Sequence, residues 1–184
     1  MLGGSGDFSV IGNDIPWFDP LADFMCEAIN KNVRIFGSCM GIQVIAKALG
    51  GEVILDNEHR EVGTYFIILN EDGQQDPLFP KFPKTFLAQM GHKCRVSILP
   101  EDAVSLASSD LCPVHAFKLK SKMVYATQFH PELNYQDNVK RLKYYFQNYH
   151  HASQEESLEE MLMKFKEDDT NSTLLSDFIM LVAG

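Results

Sequence analysis

Gly37-Ser38-Cys39-Met40-Gly41 follows the apolar run Val33 to Phe36 and precedes a helical pattern made by Ile42, Val44, Ile45, Ala48 and Leu49. A cysteine with glycine two residues to either side, set between a strand and a helix, is what a nucleophile elbow requires. The turn is too tight for side chains at its flanks. This reading puts the Cys39 thiol at a helix N-terminus, where the helix dipole and free N–H groups favour the thiolate. It also puts the Met40 N–H where it can stabilise a developing oxyanion. A lone cysteine is more often a small buried hydrophobe, the reading that suits Cys26 and Cys112. At Cys39 the flanking glycines reverse that preference, and the chemistry indicated is acyl transfer.

A base comes from far downstream. Val124 to Phe129 reads as a buried strand ending in His130-Pro131-Glu132. An imidazole and a carboxylate emerge together where the strand stops, with proline fixing the backbone between them. His130 is then placed to take the proton of Cys39, and Glu132 to orient His130 and stabilise its charge.

Phe36 to Gln43, then Ala48-Leu49-Gly50-Gly51-Glu52-Val53, then Gln128-Phe129-His130-Pro131-Glu132 resembles the class I (triad) glutamine amidotransferase domain. The likeness is nearest to stand-alone proteins similar to the amidotransferase domain of GMP synthase, and it runs from Leu2 to about Tyr149. Asp76-Pro77-Leu78-Phe79, Leu99-Pro100, and Gly3-Gly4-Ser5-Gly6-Asp7 followed by Phe8-Ser9-Val10 are further matching pieces. The resemblance implies a flavodoxin-like, three-layer α/β fold with a mostly parallel central sheet. It also implies a Cys39-His130-Glu132 triad that hydrolyses a glutamine-type side-chain amide and releases ammonia. The glycine loop would end a core strand, and Gly4 N–H would pair with Met40 N–H around the oxyanion.

Only Met1 and Leu2 precede that loop. The family domain is therefore expected to lack roughly its first quarter here, including the first strands and a helix. The expected result is an exposed strand edge with apolar surface beside it, since parallel sheets are normally covered on both faces. On this reading the chain is an N-terminally truncated fragment or a mis-started frame.

With 184 residues, 45% of them hydrophobic and 22% charged, the chain suits one domain over 1–184. Residues 1–149 would be the family core and 150–184 a C-terminal helical extension. No apolar run approaches a membrane span and the start lacks a signal-type pattern, so a cytoplasmic protein away from membranes is expected. Four cysteines without ligand spacing suggest reduced thiols, no structural zinc or other metal, and no cofactor. A formal net charge of −9 argues against nucleic acid. Lys140, Arg141 and Lys143 read as the solvated face of a helix.

The elements alternate. Helices are expected over Pro20–Asn30 and Gly41–Leu49, and strands over Val33–Phe36, Glu52–Leu55, Gly63–Leu69, Thr85–Gln89, Val104–Ser108, Val114–Leu119 and Val124–Phe129. Two amphipathic helices, over residues 155–166 and 172–182, either pack back on the domain or offer a homodimer or partner contact.

Gln43, one helical turn beyond Cys39, stands where the family places a substrate-facing glutamine. Around Gly91-His92-Lys93-Cys94-Arg95 the chain departs from the usual Ser-His-Gly-Asp of the family. That segment helps hold the substrate's zwitterion in the family, so Gly91, His92 and Lys93 are candidate substrate contacts with an altered local charge. His115 likewise stands where a glutamine is common. The leading function is hydrolysis of glutamine for a separate synthetase, because the chain carries no ATP-binding loop. A γ-glutamyl peptide hydrolase and a non-catalytic interaction module are the alternatives.

Overall fold

Around the glycine-flanked cysteine the chain folds as its pattern predicts: β1 spans Ile35–Ser38 and α2 spans Met40–Ala48. The computed structural model describes residues 1–6, 8–12, 15–150 and 156–183. Asp7 of the glycine-rich start, and residues 151–155 with the first residue of the expected 155–166 helix, lie outside these. The remaining elements are α1 (Phe18–Asn30), β2 (Glu52–Leu55), β3 (Glu61–Leu69), α3 (Glu71–Gln75), β4 (Thr85–His92), β5 (Cys94–Ile98) and β6 (Ala103–Ser108). They continue with β7 (Ala116–Leu119), β8 (Val124–Thr127), α4 (Tyr135–His150), α5 (Leu158–Leu162) and α6 (Leu174–Ala183).

The main sheet has the order β1-β8-β7-β6-β3-β4, and β2 pairs with β5 in a separate two-stranded sheet. The expected parallel pairing holds where the elbow sits, between β1 and β8 and at a bridge from Leu2 to Gly37. From β8 outward the described pairs are antiparallel. Connections as short as the one between β7 and β8 permit only antiparallel neighbours, whereas parallel strands need a long crossover.

Helices cover both faces. Phe18, Met25 and Ile29 of α1 and the inner residues of α2 meet Ile35, Phe117 and Val124 on one side. On the other, Leu174 and Phe178 of α6 pack against Phe36, Tyr125 and Phe129, with the Phe178 ring 5.3 Å from Phe36. Met161 and Phe165 close a third cluster with Val62 and Leu142. The C-terminal segment thus packs on the domain, and bonds from Thr64 N–H to Lys164 O (3.0 Å) and from Lys166 N–H to Thr64 Oγ1 (2.8 Å) fasten it to β3. The helix expected over 155–166 is shorter: α5 starts at a Ser157/Glu160 capping box and ends at Leu162.

Pro20 lies inside α1 rather than at its start. In the first turn the missing N–H has no intrahelical partner to lose. Asp76 anchors the Asp-Pro-Leu-Phe turn by accepting bonds from Leu78 N–H (2.9 Å), the Tyr125 hydroxyl (3.1 Å) and Lys118. Leu2 is the only residue bridged to the outer edge of β1 among those described, and beside it α1 and β1 leave an apolar cavity of about 370 Å³. No helix among the described residues is long and apolar enough to cross a membrane.

Candidate active site

Cys39 sits between β1 and α2 with φ 53° and ψ −105°, a conformation that costs a non-glycine residue on the order of 1–3 kcal/mol. The surroundings hold it there. Its N–H donates to Thr127 O (2.8 Å), and Ser38 N–H donates to Leu2 O (2.8 Å). Both flanking glycines are required by contact: a Cβ on Gly37 would lie 2.9 Å from the carbonyl carbon of Gly41, and one on Gly41 only 2.2 Å from Leu2 O.

β8 leads directly to His130, whose own N–H is tied to Gln89 O (2.9 Å) on β4. His130 Nδ1 bonds Glu132 Oε1 at 2.7 Å, and Ser38 Oγ donates to Glu132 Oε2 at 2.7 Å. The elbow strand therefore braces the carboxylate that orients the imidazole. Sequence reading assigned Ser38 no role, although it stands inside the elbow motif. His130 Nε2, the other ring nitrogen, is buried and makes no conventional hydrogen bond among the described residues.

The electrostatics favour a thiolate–imidazolium pair. Burial pushes the Cys39 thiol up, but the charge and hydrogen bonding of His130 outweigh it and bring the group below its ordinary value, with Arg141 assisting. Burial likewise opposes protonation of His130, yet Cys39 and Glu132 together raise it to about 9. Glu132 is pushed up by burial and held below its usual value by His130 and Ser38. Arg141 departs from the expected solvated face, because its charge reaches Cys39 and its buried Nη2 has no hydrogen-bond partner among the described residues. Lys140 and Lys143 are exposed as expected.

Gly4 abuts this pair. A Cβ there would lie 2.9 Å from His130 Cε1 and 3.1 Å from Cys39 Cβ. A narrow cleft opens at the sulfur between the residues after Gly4 and the β4–β5 turn, lined by Ser9, Met40, Gln43, Gly91, Lys93 and Cys94 among others. Gly91 turns its carbonyl to Cys39 Sγ at 4.0 Å. Gln43 lines the cleft, but its amide donates to Cys94 O (2.9 Å) and Gln128 Oε1 (3.2 Å), so it props the wall as well as facing the opening.

His92 also borders the cleft, although its ring nitrogens bond elsewhere. Nε2 lies 2.9 Å from Glu61 Oε2 and Nδ1 lies 3.2 Å from Cys94 O. Glu61 also bonds His115 Nε2 (2.7 Å) and Ser109 Oγ (2.7 Å). Burial opposes its ionisation, but the two imidazoles hold its carboxyl well below the usual range. Sequence reading missed Glu61, which gives no local signal: its partners stand 31 and 54 residues away. The charge of Arg95 is absorbed by Asp56, 2.8 Å away, which it holds at about 2 with help from His59. The cleft is left with Lys93 as the cation of that segment.

Residues 2–152 match the glutamine amidotransferase class-I family. Over 111 residues the chain is 40% identical to the glutamine-hydrolyzing GMP synthase subunit of Methanococcus aeolicus, covering 60% of this chain and 57% of that protein. It is 40% identical over 106 residues to the like-named protein of Methanocaldococcus jannaschii, covering 58% and 54%. The chain thus spans somewhat more than half the length of the curated relatives it matches. Among solved structures, a glutamine amidotransferase of Thermotoga maritima superposes with a TM-score of 0.73 at 21% identity, over 90% of this chain and 69% of that one. A glutamine amidotransferase of Methylobacillus flagellatus gives 0.68 at 24% identity, over 94% and 70%. These two likenesses establish the fold.

Proposed function

The chain belongs to the class-I glutamine amidotransferase family, and on that premise we propose that it hydrolyses the side-chain amide of glutamine through Cys39, His130 and Glu132. The released ammonia would pass to a separate synthetase in the cytoplasm. The observation that carries this reading is the strained cysteine at the start of α2, facing an imidazole whose far nitrogen is fixed by Glu132 at 2.7 Å.

In the proposed sequence the Cys39 thiolate attacks the amide carbon, and the negative charge that forms on oxygen is met by Met40 N–H and Gly4 N–H. His130 gives its Nε2 proton to the departing nitrogen, so ammonia leaves and a γ-glutamyl thioester remains on Cys39. A water then loses a proton to His130 and attacks the thioester. Glutamate departs and the thiolate–imidazolium pair is restored. Glu132 stays ionised throughout and holds the ring. Gly91, Lys93 and Gln43 form the wall against which the substrate's α-amino and α-carboxylate groups would lie, with His92 fixing that wall from behind. That the relatives are named as glutamine-hydrolyzing components of GMP synthase supports a synthetase as ammonia acceptor.

The test is ammonia release from glutamine by the purified chain, with a γ-glutamyl dipeptide measured in parallel. Glutamine turnover that disappears in Cys39→Ser is the expected result. Cleavage of the dipeptide in preference to glutamine would move the assignment to γ-glutamyl hydrolysis. Silence toward both, with Cys39 unreactive toward a glutamine-mimicking electrophile, would leave a non-catalytic module.

A further inference from the structure

We propose that Glu61, His92, Cys112 and His115 form a binding site for a divalent transition metal of the zinc type. They come from the start of β3, the end of β4, and the connection from β6 into β7. One ligand atom from each lies within 4.8 Å of all the others, and all four residues are buried. A tetrahedral zinc ion with bonds of about 2.0–2.3 Å spaces its ligands roughly 3.3–3.8 Å apart. The site therefore needs side-chain movements of about 1 Å to close on the ion.

Two details of hydrogen bonding point to a ligand. His92 Nδ1 faces the Cys94 carbonyl at 3.2 Å, which calls for an N–H on that nitrogen. Its Nε2 then presents a lone pair toward the Glu61 carboxylate 2.9 Å away, two acceptors that need a proton or a cation between them. A backbone carbonyl accepting from the far nitrogen is the usual support of a metal-bound histidine. The second detail is His115 Nδ1, which is fully buried and makes no conventional hydrogen bond among the described residues, while the ring interacts with the Cys112 sulfur, another of the four ligands.

The donor set suits the ion. One thiolate and one carboxylate neutralise a divalent charge, which a buried site demands, and sulfur with imidazole selects zinc over magnesium or calcium. Binding would displace the thiol proton that Cys112 now directs to Val114 O at 3.4 Å, so one proton leaves as the ion enters. A cavity of about 300 Å³ reaches Glu61 from the surface past Ser109 and the exposed Asp110, giving a route inward. Spacing along the sequence shows only the Cys112-x2-His115 pair and hides the set, because His92 and Glu61 stand far upstream.

The probe is Co²⁺, titrated into chelator-stripped protein carrying Cys39→Ser, so that the reactive thiol contributes nothing. One equivalent should bind, giving the intense visible bands of tetrahedral cobalt and a thiolate charge-transfer band, both abolished by added Zn²⁺. Cys112→Ser should remove the charge-transfer band. His115→Gln should keep that band and weaken binding at least about tenfold. Circular dichroism checks that each variant folds, and if Cys112→Ser does not, the affinity of His115→Gln decides. Absence of saturable binding, an octahedral spectrum, a charge-transfer band that survives Cys112→Ser, or an affinity indifferent to His115→Gln would each overturn the site. The cluster would then be held by hydrogen bonds alone.

Discussion

Cys39, His130 and Glu132, and beside them Cys112, His92, His115 and Glu61, are built from the same three residue types. They differ in what the backbone does with them. At the first cluster a strained turn puts the sulfur at a helix start beside a cleft, and the imidazole of His130 interacts with it. At the second, two imidazoles and a hydroxyl converge on one carboxylate in the interior. The first arrangement opens its sulfur to a cleft, whereas the second turns its side chains inward on one buried carboxylate. The same side chains thus face a cleft or a buried centre according to the last few ångströms of backbone.

The sharpest way to break this contrast is Cys39→Ser. Loss of the nucleophile should lower ammonia release from glutamine by at least about a thousandfold, with a melting temperature close to the parent's. A residual rate within tenfold would place the chemistry elsewhere. Next come the two carboxylates. Glu132→Gln should cut kcat by about a hundredfold or more, because the imidazole loses both its orientation and its compensating charge. Its cost in stability should be small, since the Glu132 side chain is 25% exposed.

Glu61→Gln should show the reverse. Breaking a buried charged pair costs about 3–5 kcal/mol, and denaturant melts should record a loss of that order with the slope unchanged. If the rate defects of the two carboxylate variants proved equal, the division between reactive and structural clusters would fail.

A smaller effect separates the thiols. Burial raises the Cys94 thiol above its usual value, while Cys39 lies below it. At neutral pH a glutamine-mimicking electrophile should label Cys39 first, and peptide mapping would reveal the order. Smallest is the pH dependence of stability. The folded-state value of His130, about 9 against an ordinary 6.5, means its contribution is complete below about pH 6.5 and is lost as pH rises toward 9. Cys39, held below its ordinary value, contributes in the opposite sense as pH rises through the same interval, so the two offset and the melting temperature should change little there. A steep fall would show that Cys39 is a neutral thiol in the fold.

The legible part of this molecule was local. Gly37 and Gly41 announce the elbow because a turn so close leaves no room for a Cβ, and His-Pro-Glu announces a strand end. The strands at Glu52–Leu55 and Val124–Thr127 follow their apolar runs. What stayed hidden depends on contacts between distant segments. Gly91 to Arg95 reads as an altered substrate segment, yet from Cys94 the chain is β5, because β2 offers it an edge to pair with. His92 reads as a substrate ligand, and only the fold brings Glu61 to its ring. The antiparallel character beyond β8 is likewise a matter of which strands the short connections make neighbours.

The backbone of Leu2 donates to Phe36 O at 2.9 Å, accepts from Ser38 N–H at 2.8 Å, and fills the space that Gly41 leaves open. Two residues farther on, Gly4 lies against the sulfur and the imidazole. The segment from Leu2 to Gly4 is therefore a latch on the turn that carries Cys39. Lifting Leu2 from β1 would release the clamp on Ser38 and draw Gly4 away from the sulfur in one movement.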